Sequence, residues 1–363
     1  MISEPKTFAN DRPSALLDRA SAIDEASNAK CPGPNVRREQ SMSSDAFSDV
    51  LRTVRLTGAI FYGLVAKAPW VAEQPPAKVI LPRILPGAGH LIAYHVVTEG
   101  GCYANIVGEE PMTVEAGEVI VFANGDQHVL SSSPGMRGDP AAPSALDVIH
   151  GKHLPVFMHF GGDGQAAKFI CGFLACDAQP FNPLLENLPR VFKVGGAGER
   201  DKGWLGQFIH FVLLESEDRR SGSESVLAKL SELMFIEVVR RHLEALPPGQ
   251  TGWLAGLRDP FIGKALSLMH REPSRDWNME DLARQIGQSR SVLAQRFTEI
   301  VGIPPMQYLA KWRMQIAAGR LSSGNANLDT IAAEIGYGSK AAFSRAFKKT
   351  VGMPPSAWRK RQV

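Results

Sequence analysis

The 363-residue chain is short of cysteine, of long apolar runs and of net charge, and each shortage excludes a class of protein. Four cysteines, Cys31, Cys102, Cys171 and Cys176, in a chain this long are too sparse for a disulfide framework, and none forms a Cys-x-x-Cys pair. No apolar stretch approaches the roughly 20 residues that a membrane span needs. The opening MISEPKTFAND carries charge where a signal peptide has its apolar core. A cytoplasmic protein with reduced thiols and no membrane partner is expected. With 44% hydrophobic and 21% charged residues the composition is that of a globular protein. At roughly one domain per 150 residues, the length suggests two domains.

The net charge of +3 hides an asymmetry. From Arg258 onward there are 17 basic and 8 acidic residues, a net of +9, leaving 23 basic and 29 acidic residues, a net of −6, before it. The end that binds a polyanion is therefore the C-terminal one.

Residues 1–43 are rich in Ser, Ala, Asn, Asp and Pro without sustained periodicity, which predicts a mobile tail with a short helix near Ala15 to Ala26. From 44 to about 200, short apolar runs (GAIFYGLV, AKVILPRIL, HLIAYHVV, GCYANIVG, EVIVFANG, PVFMHF) alternate with Gly, Pro and Asn, the signature of short strands in a sandwich or small barrel. A Ser/Pro/Gly-rich loop interrupts them from about Ser131 to Pro143. Over 201–247 the period becomes helical, with Leu227, Leu230, Leu233, Met234, Val238 and Leu243 near one face. Such a stripe covers a sheet or pairs two subunits, and a homodimer is expected. LPPGQTGWLAGLR, 248–258 in its greater part, reads as a linker.

The segment 259–363 contains an internal repeat. DLARQIGQSRSVLAQRFTEIVGIPP from Asp281 matches TIAAEIGYGSKAAFSRAFKKTVGMPP from Thr330, offset by 49 residues at Leu282/Ile331 and by 50 at Phe297/Phe347. The extra residue falls in a turn. Each copy has a small Ala (Ala283, Ala332) where two helices cross and a Gly (Gly287, Gly336) for a left-handed turn. A Ser (Ser289, Ser339) then caps a second helix anchored by Leu293 and Phe297, or by Phe343 and Phe347. Facing away from these anchors are Arg290, Ser291, Ala294 and Gln295 in one copy and Lys340, Ala341, Ser344, Arg345 and Lys348 in the other. Side chains of this kind can enter a major groove. Between the copies, 305–322 predicts a helix of roughly 27 Å, which would hold the two recognition helices about one DNA turn apart.

This pattern, LAxxIGxSxxxLxxxF, then GxxPxxYLxxWRMxxA, then IAxxIGYxxxxxFSRAFKKxxGxPPxxWR, resembles the AraC-type DNA-binding domain. The resemblance covers about Asp259 to Arg361 and implies sequence-specific binding to double-stranded promoter DNA, with RNA polymerase as a further partner. Exposed Ala294 and Ala341 depart from family habit and suggest contact with thymine methyls or no readout there.

The segment from Leu51 to Val194 resembles the cupin-type sensor domain of one branch of AraC-type regulators, through HLIAYHVVTEGGCYANIVG, VEAGEVIVFANGDQHVLSSSPG and FICGFLACDAQPFNPLLENLP. In metal cupins the first motif supplies His-x-His and a Glu, and the second a further His. Here His95 holds the first position, Val97 replaces the second His, Cys102 lies near the Glu position and His128 holds the last. The resemblance implies an effector pocket at His95, Cys102 and His128, with Cys171 as a second thiol. Two His and a thiol could hold zinc or another soft divalent ion. With one usual ligand missing, no metal or other cofactor is assigned, and no catalytic residue. Cys171 and Cys176 could be a redox pair or buried strand thiols.

The expected architecture is α+β in two domains: a cupin-like β-barrel, a helical connector and an all-α double helix-turn-helix. The expected function is transcription regulation in response to a small effector or an oxidant. The alternative is a cupin-type metalloenzyme with a DNA-binding appendage; a third is a DNA-binding protein whose barrel serves only to dimerise, marked by an interior filled with side chains.

Overall fold

Strand-forming sequence dominates the first half, and the computed structural model shows how it pairs. Residues 45–138, 156–195, 204–218, 221–324 and 326–361 are described. The expected tail, its short helix, Cys31 and residues 139–143 of the loop lie outside them.

Among the described residues ten strands run in order: β1 (Thr57–Lys67), β2 (Val71–Gln74), β3 (His90–Glu99), β4 (Gly101–Ile106), β5 (Met112–Glu115), β6 (Glu118–Phe122), β7 (His128–Ser131), β8 (Val156–Gly161), β9 (Ala166–Cys176) and β10 (Val191–Gly195). They form a six-stranded sheet in the order β10-β6-β3-β9-β1-β8 and a four-stranded sheet in the order β2-β7-β4-β5. Side chains alternate across a strand, so β3 sends Leu91, Ala93 and Val97 into the space between the sheets and Ile92, Tyr94 and Val96 to the outer face. Both sets are buried. That is why β3 reads as a nearly continuous apolar run rather than an alternating one.

AKVILPRIL, expected as a strand, is instead the helix α2 (Ala77–Ile84), with Pro82 inside it. Ala77, Ile80, Leu81 and Ile84 fall at helical spacing and pack on the inter-sheet core. A short apolar run cannot be assigned to strand or helix by periodicity alone. A helix not anticipated, α1 (Ala46–Thr53), is capped by Asp45, whose carboxylate accepts from the Ser48 amide at 2.8 Å.

The outer face of the larger sheet is covered by α4 (Ser223–Ala245), against which α3 (Trp204–Asp218) packs. Leu227, Met234, Phe235 and Val238 of α4 share one core with Ile92, Tyr94 and Val96. The expected linker 248–258 is open only over its first residues, since Trp253–Arg258 forms the helix α5 with Trp253 and Leu254 buried. The remaining helices are α6 (Pro260–Arg271), α7 (Met279–Ile286), α8 (Arg290–Val301), α9 (Pro305–Ser322), α10 (Leu328–Glu334), α11 (Lys340–Val351) and α12 (Pro355–Arg361).

The two copies of the repeat are housed differently. Leu282, Ala283, Ile286, Leu293 and Phe297 of α7 and α8 belong to the core that runs on to the outer sheet face. Ile331, Ala332, Ile335, Phe343 and Phe347 of α10 and α11 form a separate cluster with Met314, Leu321 and Trp358.

Candidate functional site

Capping chemistry sets both helix-turn-helix units. Asn278 caps α7, and Gly287 ends it at φ 75° in the left-handed region, where a side chain would be strained. Ser289 then caps α8 by accepting from the Val292 amide. In the second copy Asn327 caps α10, Gly336 turns at φ 80°, and Ser339 caps α11 through the Ala342 amide. Arg290, Ser291 and Gln295 are exposed on α8, as are Lys340, Ala341, Arg345 and Lys348 on α11; Ser344 is half-buried.

The cations of the two recognition helices differ in their partners. Arg290 donates to Glu280 Oε1 at 2.7 Å, Arg296 donates twice to Asp259 Oδ2, and Gln295 donates to Glu299 Oε1 at 2.8 Å. On α11, Lys340, Arg345, Lys348 and Lys349 have no carboxylate partner among the described residues.

Between the two sheets, which face each other rather than close into the expected barrel, β3 and β9 pair so that His95 lies opposite Cys171, and β1 and β9 pair so that Cys171 lies opposite Tyr62. His95 Nδ1 is 2.9 Å from Cys171 Sγ, and His95 Nε2 is 3.1 Å from His128 Nε2. His128 Nδ1 lies 3.0 Å from the Asp126 carbonyl oxygen. The carbonyl can only accept, and this fixes every proton in the line when the groups are neutral. His128 Nδ1–H donates to Asp126, His95 Nε2–H donates to His128, and the Cys171 thiol donates to His95. Neutrality is what burial dictates. Burial, then the neighbouring His128, hold His95 well below the usual imidazole range, and burial brings His128 down to about 4. Burial also pushes the Cys171 thiol well above its ordinary value. His128 stacks on Phe122, with ring centroids 3.8 Å apart. Around the line the interior is filled by Trp70, Phe122, Phe169, Phe173 and aliphatic side chains.

The residues expected as a metal set do not gather as one. Of the possible set His95, Cys102 and His128, His95 turns Nε2 to His128 and Nδ1 to Cys171. Cys102 lies on β4, beside the β7 strand that carries His128 and on the sheet opposite His95, and burial pushes its thiol up to about 12. Among the described residues no three His, Cys, Asp or Glu side chains are arranged to hold an ion. Cys171 and Cys176 fall on opposite faces of β9 and are no pair.

A cupin family profile matches residues 45–244, and a helix-turn-helix domain profile matches residues 282–361. A putative AraC-like transcription regulator of Streptomyces lividans is 32% identical over 317 residues, which cover 87% of this chain and 98% of that protein. This chain belongs to the AraC-like transcription regulators. The regulator is also similar to the HTH-type transcriptional regulator AlkR of Acinetobacter baylyi, at 27% identity over 73% of this chain and 86% of that one. The RCS-specific HTH-type transcriptional activator RclR of Escherichia coli is 25% identical over 76% and 87% of the two chains. DNA binding and the cupin domain of the AraC-like regulator are thus established on the sequence, and no helix among its described residues is long and apolar enough to cross a membrane.

Three residues of interest escaped the sequence. Tyr62 sits in β1 with no motif around it, and only strand pairing brings it to Cys171. Val292, 44% exposed on α8, was hidden by the habit of assigning apolar residues to cores. Lys349 follows Lys348 on α11 and was legible only as part of a basic run.

Proposed function

We propose that this AraC-like regulator senses a small oxidant or similarly small effector at the Cys171–His95–His128 line and answers by changing its grip on promoter DNA. The observation that carries this is the line itself. An array of polar groups placed in a filled apolar core costs stability unless every member is paired, and a cupin fold has no need of it. The filled interior restricts the effector to a few atoms. A peroxide is a suitable case: because burial keeps the thiol un-ionised at rest, His95 Nδ1 takes its proton as Cys171 Sγ attacks one oxygen, the O–O bond breaks, and the proton passes on to the departing oxygen. The products are a sulfenic acid and water. His128, accepting from His95 Nε2, stabilises the imidazolium that forms transiently.

On this reading the base-edge contacts come from Arg290, Ser291 and Gln295 of α8 and from Lys340, Ala341, Ser344 and Arg345 of α11, with Lys348 on phosphate. The protein is cytoplasmic, is no enzyme, and contacts RNA polymerase at its promoters. It acts as a homodimer through α3 and α4, whose Phe211, Leu214, Val226 and Leu233 are 43–58% exposed. Sedimentation giving only a monomer at micromolar concentration, with and without DNA, would remove the dimer.

The test is peroxide or hypochlorite treatment of the full chain, followed by thiol counting and DNA titration. Loss of the Cys171 thiol with a change in affinity, both absent in Cys171→Ser, is the expected result. A second reading is favoured by the filled interior: a cupin domain that is only a scaffold. Unchanged affinity in the treated wild type would select it.

A further inference from the structure

We propose that the two helix-turn-helix units divide the work of binding DNA. The second (α10 and α11) supplies, beside its base-edge contacts, the electrostatic anchor on the phosphate backbone through Lys348 and Lys349. The first (α7 and α8) is a charge-neutral reading head in which Glu280 withholds Arg290 from the phosphates. This deepens the recognition-helix assignment above and rests on it.

Charge by position is the first observation. Residues 278–302 carry Glu280, Asp281 and Glu299 against Arg284, Arg290 and Arg296, a balance of zero. Residues 327–352 carry Asp329 and Glu334 against Lys340, Arg345, Lys348 and Lys349, a balance of +2, and α11 itself has four cations and no anion. Partners are the second. Arg284 pairs with Asp281, and Arg290 with Glu280. Arg296 is tied to Asp259, which also caps α6 through the Phe261 and Ile262 amides. In the second unit Glu334, the carboxylate nearest in sequence to α11, is taken by Arg320 at 2.6 and 2.8 Å. The α11 cations therefore face outward with none of their charge offset.

Polyanion binding scales with the cations free to replace counterions. Each phosphate neutralised adds about 0.9 to the slope of log affinity against log salt on duplex DNA. An Arg held by a carboxylate on its own unit adds little, because approach to DNA must first break the pair and then leave Glu280 beside the phosphates. Released from Glu280, Arg290 sits at the first turn of α8, where an exposed guanidinium reaches the backbone.

The experiment uses the full chain, an operator recovered by footprinting, and an unrelated duplex, with affinity measured across a salt series for three single variants at exposed positions. Lys348→Gln is expected to lower the slope by about 0.9 and to weaken both duplexes alike. Arg290→Gln is expected to leave the slope unchanged and to weaken the operator alone. Glu280→Gln is expected to raise the slope by about 0.9 and to tighten binding to both duplexes. A thermal melt of each variant confirms that the fold is kept. If Arg290→Gln lowers the slope as much as Lys348→Gln, or if Glu280→Gln leaves it where it was, the division of work is overturned while the recognition helices stand. If none of the three variants alters binding to either duplex, the recognition-helix assignment itself falls.

Discussion

At the scale of single residues, chemistry is decided by which protons the surroundings allow. His128 is held at about 4 by burial, below the unfolded value of about 6.5. Between those two pH values the unfolded chain binds more protons than the folded one, so stability rises with pH through that window and is fully present above about 6.5. His270, brought down to about 3 by burial between Trp312 and Tyr308, acts in the same direction. Denaturant melts at several pH values should show a loss of roughly 3 kcal/mol from His128 as pH falls from 6.5 to 4. His128→Gln should flatten part of that curve; an equally steep loss in the variant would mean that other groups drive it. For DNA, Arg345→Ala should weaken the specific site by about 1–3 kcal/mol while sparing nonspecific binding. A titration in which Arg345→Ala matches the wild type on its operator would remove Arg345 from the reading face.

Elements were legible in the sequence where spacing repeats and illegible where only tertiary pairing decides. The offset of 49 and 50 residues, with Gly287 and Gly336 at the turns and Ser289 and Ser339 at the caps, located both helix-turn-helix units because helix termini need particular residue types. His95 and His128 were identifiable by their places in two motifs. Tyr62 was not, because nothing local to β1 tells which strand will lie beside it. AKVILPRIL was misread because apolar runs of that length suit either element. The seating of α4 on the sheet also depends on details invisible in one dimension. A Cβ on Gly58 would fall 2.1 Å from the Ala228 carbonyl oxygen, and the Gly58 amide donates to Glu232 at 3.0 Å. Gly58→Ala should push α4 off β1 and cost about 1–3 kcal/mol in a denaturant melt. On the same interface the Tyr94 hydroxyl lies 2.6 Å from Ser231 Oγ, which itself donates to the Leu227 carbonyl, so Tyr94 is the donor. Tyr94→Phe keeps the ring and loses that bond, at an expected cost of about 1 kcal/mol. A neutral Tyr94→Phe would show that the bond adds nothing beyond packing.

Across the whole molecule, the arrangement of cores links the buried line to the DNA-binding half. His95 and Tyr94 are neighbours on β3: one faces the filled interior, the other is bonded to α4. The core beneath Tyr94 continues through α4 and α5 to the first helix-turn-helix unit, whereas the second has a core of its own. The segment after β9 adds a second bridge. The Phe181 amide donates to Gln315 of α9 at 3.0 Å, and the Trp253 amide donates to Asn187 Oδ1 at 2.7 Å. A change at Cys171 should therefore loosen or tighten α7 and α8 before α11. Hydrogen exchange on the oxidised full chain should show altered protection in residues 279–301 and little in residues 340–351; the reverse order would disconnect the line from the first unit.

The most direct measurement of the central claim is promoter occupancy in cells, by footprinting, for the wild-type chain and Cys171→Ser before and after a pulse of peroxide or hypochlorite. Occupancy is expected to change on treatment for the wild type and to stay fixed for the variant. Equal responses from both chains, or none from either, would contradict it.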